Sequence, residues 1–236
     1  MFKKIYNLFK ILRKLSMSGA IETLDQLRPI PFGLKILFKV FSLGINKNEK
    51  SLDTSPGEKL CGSLEDMGTT FIKLGQFLAT RPDIIGDKIA RDLEKLQDKL
   101  PAFDTEKAKN IIEKEIGSKS FKNILSLSKP IAAASIAQVH FAKIRIDDQE
   151  KDLAIKILRP NIHSLVNEEL DALMFLAFLI ESIFKKTKRL KLVEVISLLK
   201  EITNVEMDLR FEAAAAGELR DNTINAVSYT HLRAHE

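Results

Sequence analysis

The sequence predicts an α+β fold in which helices come first, a small antiparallel sheet follows, and helices close the chain. Three observations carry this. From Leu60 to Leu100 apolar residues recur at steps of three and four, the spacing of core-facing helices. Between residues 137 and 158 the spacing changes to alternation on both sides of the polar segment 147–151, the pattern of a β-hairpin. After Arg159-Pro160 the helical spacing returns. A length of 236 residues with 45% hydrophobic content allows a sizeable core.

The first seventeen residues hold Lys3, Lys4, Lys10, Arg13 and Lys14 and no acid, so 37 − 5 = 32 bases remain against 32 acids and the whole net charge of +5 sits in one arm. At about 100° per residue, Phe2, Ile5, Leu8, Phe9, Leu12 and Leu15 share one arc. Lys3, Lys10, Arg13 and Lys14 share the next, with Lys4 and Ile11 off the pattern. Such a basic amphipathic helix suits an anionic membrane surface; packing on its own domain, or a targeting presequence, would use the same pattern. A second basic apolar stretch runs from Phe32 to Ile45 with Lys35 and Lys39. Residues 1–50 are therefore expected to be membrane-surface helices.

Residues 51–118 read as a helical extension. Leu60, Leu64, Met67, Phe71, Leu74 and Leu78 form one stripe, closed by Arg81-Pro82. A second helix opens at Pro82-Asp83, carries Ile85, Ile89, Leu93, Leu96 and Leu100 on one face, and stops at Pro101. A third runs from an Asp104 cap to Gly117. Beyond the hairpin, helices are expected over 163–185 and 191–220, joined by the basic linker 185–189. The most apolar run, Leu173–Ile180, falls well short of the ~20 residues of a membrane span. Cys61 is alone, so no intramolecular disulfide forms, and it reads as a buried structural thiol. Balanced charge outside the arm, with no aromatic-interleaved basic patch, disfavours nucleic acid as a partner.

The chemistry concentrates around the hairpin. The phosphate-covering loop of protein kinases, Gly-x-Gly-x-x-Gly-x-Val, can be laid on residues 132–139, and every glycine slot then holds alanine: Ala132, Ala134 and Ala137, ending at Val139. Ala133 and Ser135 are among the residues between these slots, and Ala154-Ile155-Lys156 follows on the return strand. That spacing brings the Lys156 ammonium beneath the loop, where it would hold nucleotide phosphates. The bland alternative, a buried helix nucleated by three alanines, conflicts with the alternation on either side.

These residues, together with Phe71-Ile72-Lys73-Leu74-Gly75-Gln76-Phe77, Leu96-Gln97-Asp98-Lys99 and Ala154-Ile155-Lys156-Ile157-Leu158-Arg159-Pro160, resemble the UbiB family of atypical kinases, whose members act in ubiquinone biosynthesis. The resemblance covers roughly residues 55–222. It implies a protein-kinase-like N-terminal lobe over 119–222, preceded by the helical extension, whose Lys73 and Gln76 fold over the active site where a peptide would otherwise bind. It implies that Glu212 pairs with Lys156 for the α and β phosphates, and that Glu206 and Asp208 of a Glu-x-Asp motif face the Lys73 helix. On one continuous helix Glu206 and Glu212 lie about 240° apart, so separate tasks are expected of them.

The implied ligand is ATP or ADP, with Mg in the full-length family. The implied partners are a membrane surface, a lipid-like ubiquinone precursor and other ubiquinone-biosynthesis proteins, at the cytoplasmic face of the inner membrane. No catalytic-loop or metal-binding Asp pattern follows Glu212, so the C-terminal lobe is expected to be absent and this portion inactive in catalysis. A non-enzymatic membrane-associated scaffold with a pseudokinase lobe is the competing expectation. Residues 223–236 read as a tail foreign to the family; His231 and His235 lack a third metal ligand there, and no metal site is expected.

Overall fold

The computed structural model describes residues 2–18, 20–27, 30–41, 55–96 and 100–223. Its architecture is the expected one: helices, then a three-stranded antiparallel sheet in the order β1-β2-β3, then helices. The tail beyond residue 223, with His231 and His235, and the Gln97–Lys99 part of the extension motif lie outside the described residues.

Three helices open the chain, α1 (Phe2–Met17), α2 (Ala20–Leu27) and α3 (Phe32–Phe41). Here the sequence reading needs correction. Ile11, expected off the pattern, is only 1% exposed, and Leu12 is buried with it. Leu8 and Leu15 pack partly into a cluster with Leu34, Phe38 and Leu176. Lys14 also leaves the basic face: its Nζ lies 2.7 Å from Glu169 Oε1 and donates to the Met67 carbonyl at 3.0 Å. Much of the amphipathic arc is therefore spent on the protein's own core, where packing removes its apolar surface from water.

The extension begins with a capping box, in which Ser55 Oγ accepts from the Glu58 amide and Glu58 Oε2 accepts from the Ser55 amide. The stripe expected as one helix from Leu60 to Leu78 is two, α4 (Pro56–Met67) and α5 (Thr69–Ala79), parted at Gly68 with φ +96° and ψ −168°. Only glycine adopts that conformation without penalty. The apolar period survives the break because Leu60, Leu64, Met67, Phe71 and Ile72 all enter one core. Likewise the second helix is divided at Gly86 into α6 (Pro82–Ile85) and α7 (Asp87–Leu93). Cys61 is buried between α4 and α7; its thiol donates to the Asp92 carbonyl, and burial pushes it up to about 11, as befits a structural thiol. Helix α8 (Thr105–Phe121) is capped by Asp104, whose Oδ1 accepts from the Glu106 and Lys107 amides, and its helical ladder breaks at Gly117 before one further turn.

A strand that the alternation did not reveal, β1 (Ile124–Ala133), precedes the hairpin β2 (Ala137–Ile146) and β3 (Gln149–Leu158). The hairpin turn is tighter than expected: only Asp147 and Asp148 turn, both at positive φ, and Ile146 pairs with Gln149. This is the two-residue turn that matches strand twist. One sheet face, with His140, Ala142, Ile155 and Ile157, is turned toward α8, where Ile157 packs against Ala108 and Ile112.

Helix α9 (Ile162–Ile183) buries Val166, Leu170 and Leu173 in the main core, and the basic linker is a 3₁₀ turn, Lys185–Leu190. The last predicted helix is again two, α10 (Leu192–Glu206) and α11 (Leu209–Thr223). Met207, 1% exposed, inserts into the main core, and Asp208 caps α11 through Oδ1, which accepts from the Arg210 amide at 3.1 Å. Side-chain capping by an aspartate competes with continuing the helix.

Two glycines test this packing in opposite directions. A Cβ on Gly57 would stand 2.3 Å from Asp92 Cβ, a stiff neighbour, whereas at Gly217 in α11 nothing lies within 4 Å. In urea unfolding, Gly57→Ala is expected to destabilise by about 1–3 kcal/mol. Gly217→Ala is expected to stabilise by up to about 1 kcal/mol.

Candidate nucleotide-binding site

The outward face of the sheet carries Val139 opposite Lys156 and Phe141 opposite Ala154. Lys156 therefore points away from α8, as the alternation requires. Its Nζ lies 2.5 Å from Glu212 Oε2 on α11. The pair is partly open to solvent, with the two side chains 36% and 59% exposed. In such a setting it contributes at most about 1 kcal/mol to stability.

A second ion pair stands nearby. Lys73 Nζ on α5 is 3.0 Å from Glu206 Oε2 at the end of α10, and Lys73 is the more buried partner at 12% exposure. Both pairs face one cleft of about 470 Å³, lined by Lys73, Ala134, Lys156, Glu206, Asp208 and Glu212, and by Ile136, Val205 and Phe211. That volume lies within the usual range for small-molecule sites.

The break at Met207-Asp208 corrects one expectation. Glu206 and Glu212 are not on one helix, so the 240° separation does not apply, and both carboxylates reach the same cleft with different lysines. Asp208 is taken by Arg210, whose Nε and Nη2 lie 2.8 and 2.6 Å from its two oxygens. Chiefly through that hydrogen bond, the Arg210 guanidinium holds the Asp208 carboxyl down to about 2.

The alanine loop is shorter than the kinase pattern suggests. Ala132 and Ala133 belong to β1, paired with Val139 and Gln138, and Ala137 opens β2. Residues 134–136 alone form the connection. Of the loop residues expected to meet a nucleotide, Ala134 lines the cleft; Ser135 is buried, and its carbonyl accepts from Thr69 Oγ1 at 2.9 Å. Gln76 is half-buried on α5 and is not among the cleft-lining residues. The sequence reading missed Ile136, Val205 and Phe211. Their only local signal was Asp208 two residues before Arg210, a cap that would have divided the helix between Val205 and Phe211.

Chemically, the cleft sets two ammoniums against three carboxylates, and every one of these charges is already paired, Asp208 by Arg210. Phosphate oxygens would compete with Glu212 and Glu206 for the lysines, while Ile136, Val205 and Phe211 supply apolar surface. Among the described residues no group of three or more His, Cys, Asp or Glu side chains is arranged to hold a metal ion.

Comparison with known proteins shows the family. The model of the ABC1 atypical kinase-like domain matches residues 95–230, which include the sheet, the alanine loop, Lys156 and Glu212. The chain belongs to the ABC1 atypical kinase-like family. Among its relatives is a protein of Marinobacter nauticus named "Probable protein kinase UbiB", 35% identical over 207 residues, 87% of this chain and 37% of that one. A protein of the same name from Pseudomonas aeruginosa is 37% identical over 174 residues, 73% of this chain and 32% of that one. The chain thus spans about a third of the length of these curated relatives. The ABC1 match runs to residue 230, within the segment expected to be foreign.

The depressed Asp208 pKa has a definite sign. Its folded value, about 2, lies below the ordinary 3.8, so the Arg210 contact stabilises the fold above the ordinary value and is lost as pH falls through about 2. Carboxyl-carbon NMR titration is expected to place the Asp208 midpoint near 2, and Arg210→Ala is expected to return it toward 3.8.

Proposed function

We propose that the chain is the nucleotide-holding lobe of an atypical kinase or ATPase that supports ubiquinone biosynthesis at a membrane surface. The observation that carries this reading is the Lys156–Glu212 pair, set at a cleft walled by Ala134 and by the Lys73 helix. In protein kinases a lysine on the third strand, fixed by a helix glutamate, holds the α and β phosphates. Here Lys156 takes that part for ATP or ADP, with Glu212 orienting the ammonium until the phosphates arrive.

Magnesium, as expected for the full-length family, would arrive bound to the nucleotide and offset its phosphate charge; Glu206 and Asp208 at the cleft are held by Lys73 and Arg210. Opposite, the Lys73–Glu206 pair occupies the approach a peptide would need, which favours a small or lipid-like partner such as a ubiquinone precursor over a protein substrate. Ala134 contributes a Cβ at the cleft where glycine would let the backbone come nearer to the phosphates.

The membrane part of the reading rests on the outward side of the two basic stretches, since their inward side packs on the protein's own core. The outer side of α1 exposes Tyr6, Phe9 and Met17 beside Lys10 and Arg13. Helix α3 exposes Phe32, Ile36 and Val40 beside Lys35 and Lys39. Phe9 meets the Phe41 ring edge-on at 5.2 Å, joining the two helices. Aromatic and basic side chains on one surface suit an anionic bilayer, at the cytoplasmic face of the inner membrane and alongside other ubiquinone-biosynthesis proteins. Among the described residues no helix is long and apolar enough to cross a membrane.

Titration calorimetry with Mg-ATP and Mg-ADP is expected to give weak saturable binding, and Lys156→Ala is expected to lower affinity at least about tenfold with the helical signal unchanged. Equal affinity in the variant would remove Lys156 from the proposed role. Co-sedimentation with anionic vesicles is expected for the wild type, and the double change Phe9→Glu, Phe32→Glu is expected to abolish it. Binding of vesicles without any response to nucleotide would favour a non-enzymatic scaffold.

A further inference from the structure

We infer that Arg159 is a positioning residue that locks the alanine loop to the segment of the extension between α7 and α8, making the loop a wall whose displacement is transmitted to residues 100–103. The transmission rests on the nucleotide reading above; the lock does not.

Four consecutive carbonyls, those of the loop and of Ala137 at the start of β2, are held by protein donors. Ala134 O accepts from Arg159 Nε at 2.9 Å and Nη2 at 2.7 Å. Ser135 O accepts from Thr69 Oγ1, Ile136 O from the Arg159 amide at 2.8 Å, and Ala137 O from the Ala134 amide at 2.8 Å. A glycine-rich kinase loop can flex over the phosphates. This one cannot hinge without breaking the guanidinium contacts.

The same guanidinium reaches the extension, where Nη1 donates to Pro101 O at 3.0 Å and Nη2 to Leu100 O at 3.3 Å. Two residues on, Phe103 is held from the sheet as well: its amide donates to Gln138 Oε1 at 2.9 Å, and Gln138 Nε2 donates to its carbonyl at 3.2 Å. Gln138 Nε2 also donates to His140 Nε2, which leaves His140 Nδ1 to donate to Ser128 O. Arg159 is not among the residues lining the cleft, so it acts on Ala134 from behind. Ala134 is both the cleft-lining residue and the one whose carbonyl Arg159 holds. A shift there must pull on 100–103 through a planar fork that a lysine does not possess.

Hydrogen exchange on the full chain tests this in two arms. Without nucleotide, Arg159→Lys is expected to raise exchange at least about tenfold at 134–137 and at 102–103 together, with the β2–β3 ladder unchanged. Wild-type exchange in the loop, or a rise confined to one segment, overturns the lock. Thr69→Val removes only the bond to Ser135 O and is expected to loosen the loop while 102–103 keeps its protection; joint release would overturn Arg159 as the route. With Mg-ADP, protection in the wild type is expected at 134–137 and 102–103, and in Arg159→Lys at the loop alone. Protection of the loop alone in the wild type overturns the transmission. No protection anywhere overturns the nucleotide reading and the transmission with it, while the first arm still decides the lock.

Discussion

The cleft depends on one shared hydrophobic core. Phe71 and Ile72 of α5, both fully buried, enter the same cluster as Ile136 of the alanine loop, Leu170 of α9 and Leu199 and Met207 at α10. The extension is therefore part of the lobe's interior. Burying two such side chains is worth about 3–6 kcal/mol in all, far more than any ion pair at the cleft supplies. Because Lys73 follows Ile72 and Glu206 precedes Met207, the core fixes both ends of the Lys73–Glu206 pair. The chemistry stands on neighbours of buried residues.

This arrangement separates stability from function. The Lys156–Glu212 pair is open to solvent, and such a pair contributes at most about 1 kcal/mol. On the nucleotide reading it could be exchanged for phosphate contacts without loss of the fold. A fully buried pair would have been poorly suited, since losing one partner to a ligand would strand a desolvated charge. Lys14 and Glu169 show the contrast: Glu169 is nearly buried, the ammonium also meets the Met67 carbonyl and stands 5.6 Å from the Phe71 ring centroid, and the pair joins α1 to α9. There the charge is structural.

The sequence disclosed most of the elements and the main pairing, for identifiable reasons. Alternation around the Asp147-Asp148 turn and the order of Lys156 and Glu212 survive any change in packing angle. What it hid were breaks that leave the apolar period intact. Leu60 to Leu78 keeps its stripe across Gly68 because both helices feed one core, and only the backbone angle records the division. Met207 kept the period of a continuous helix, so the shared cleft of Glu206 and Glu212 was invisible. Strand β1 was missed because its pairing with β2 has register shifts at Ser126, Pro130 and Ala132, which spoil alternation. In α1 the apolar arc was real, but composition could not say whether protein or lipid would cover it; Ile11 went inward and Phe9 outward.

Lys156 consequently stands between walls of unequal stiffness. On one side residues 134–137 have their carbonyls held, and Ile136 and Ala137 are buried in the main core. On the other, α11 buries no residue, exposes Phe211 and Leu219, and meets the sheet through Glu212. A fifteen-residue helix is marginal without tertiary packing, and one exposed ion pair adds little to it. The buried Met207 ties its start to the core, and the Asp208 cap holds its first turn. On the proposed nucleotide reading, a ligand that draws Lys156 toward its phosphates would meet resistance from the loop and compliance from α11. Adjustment to different nucleotides would then fall on Glu212 and Phe211, with Ala134 setting the limit of approach.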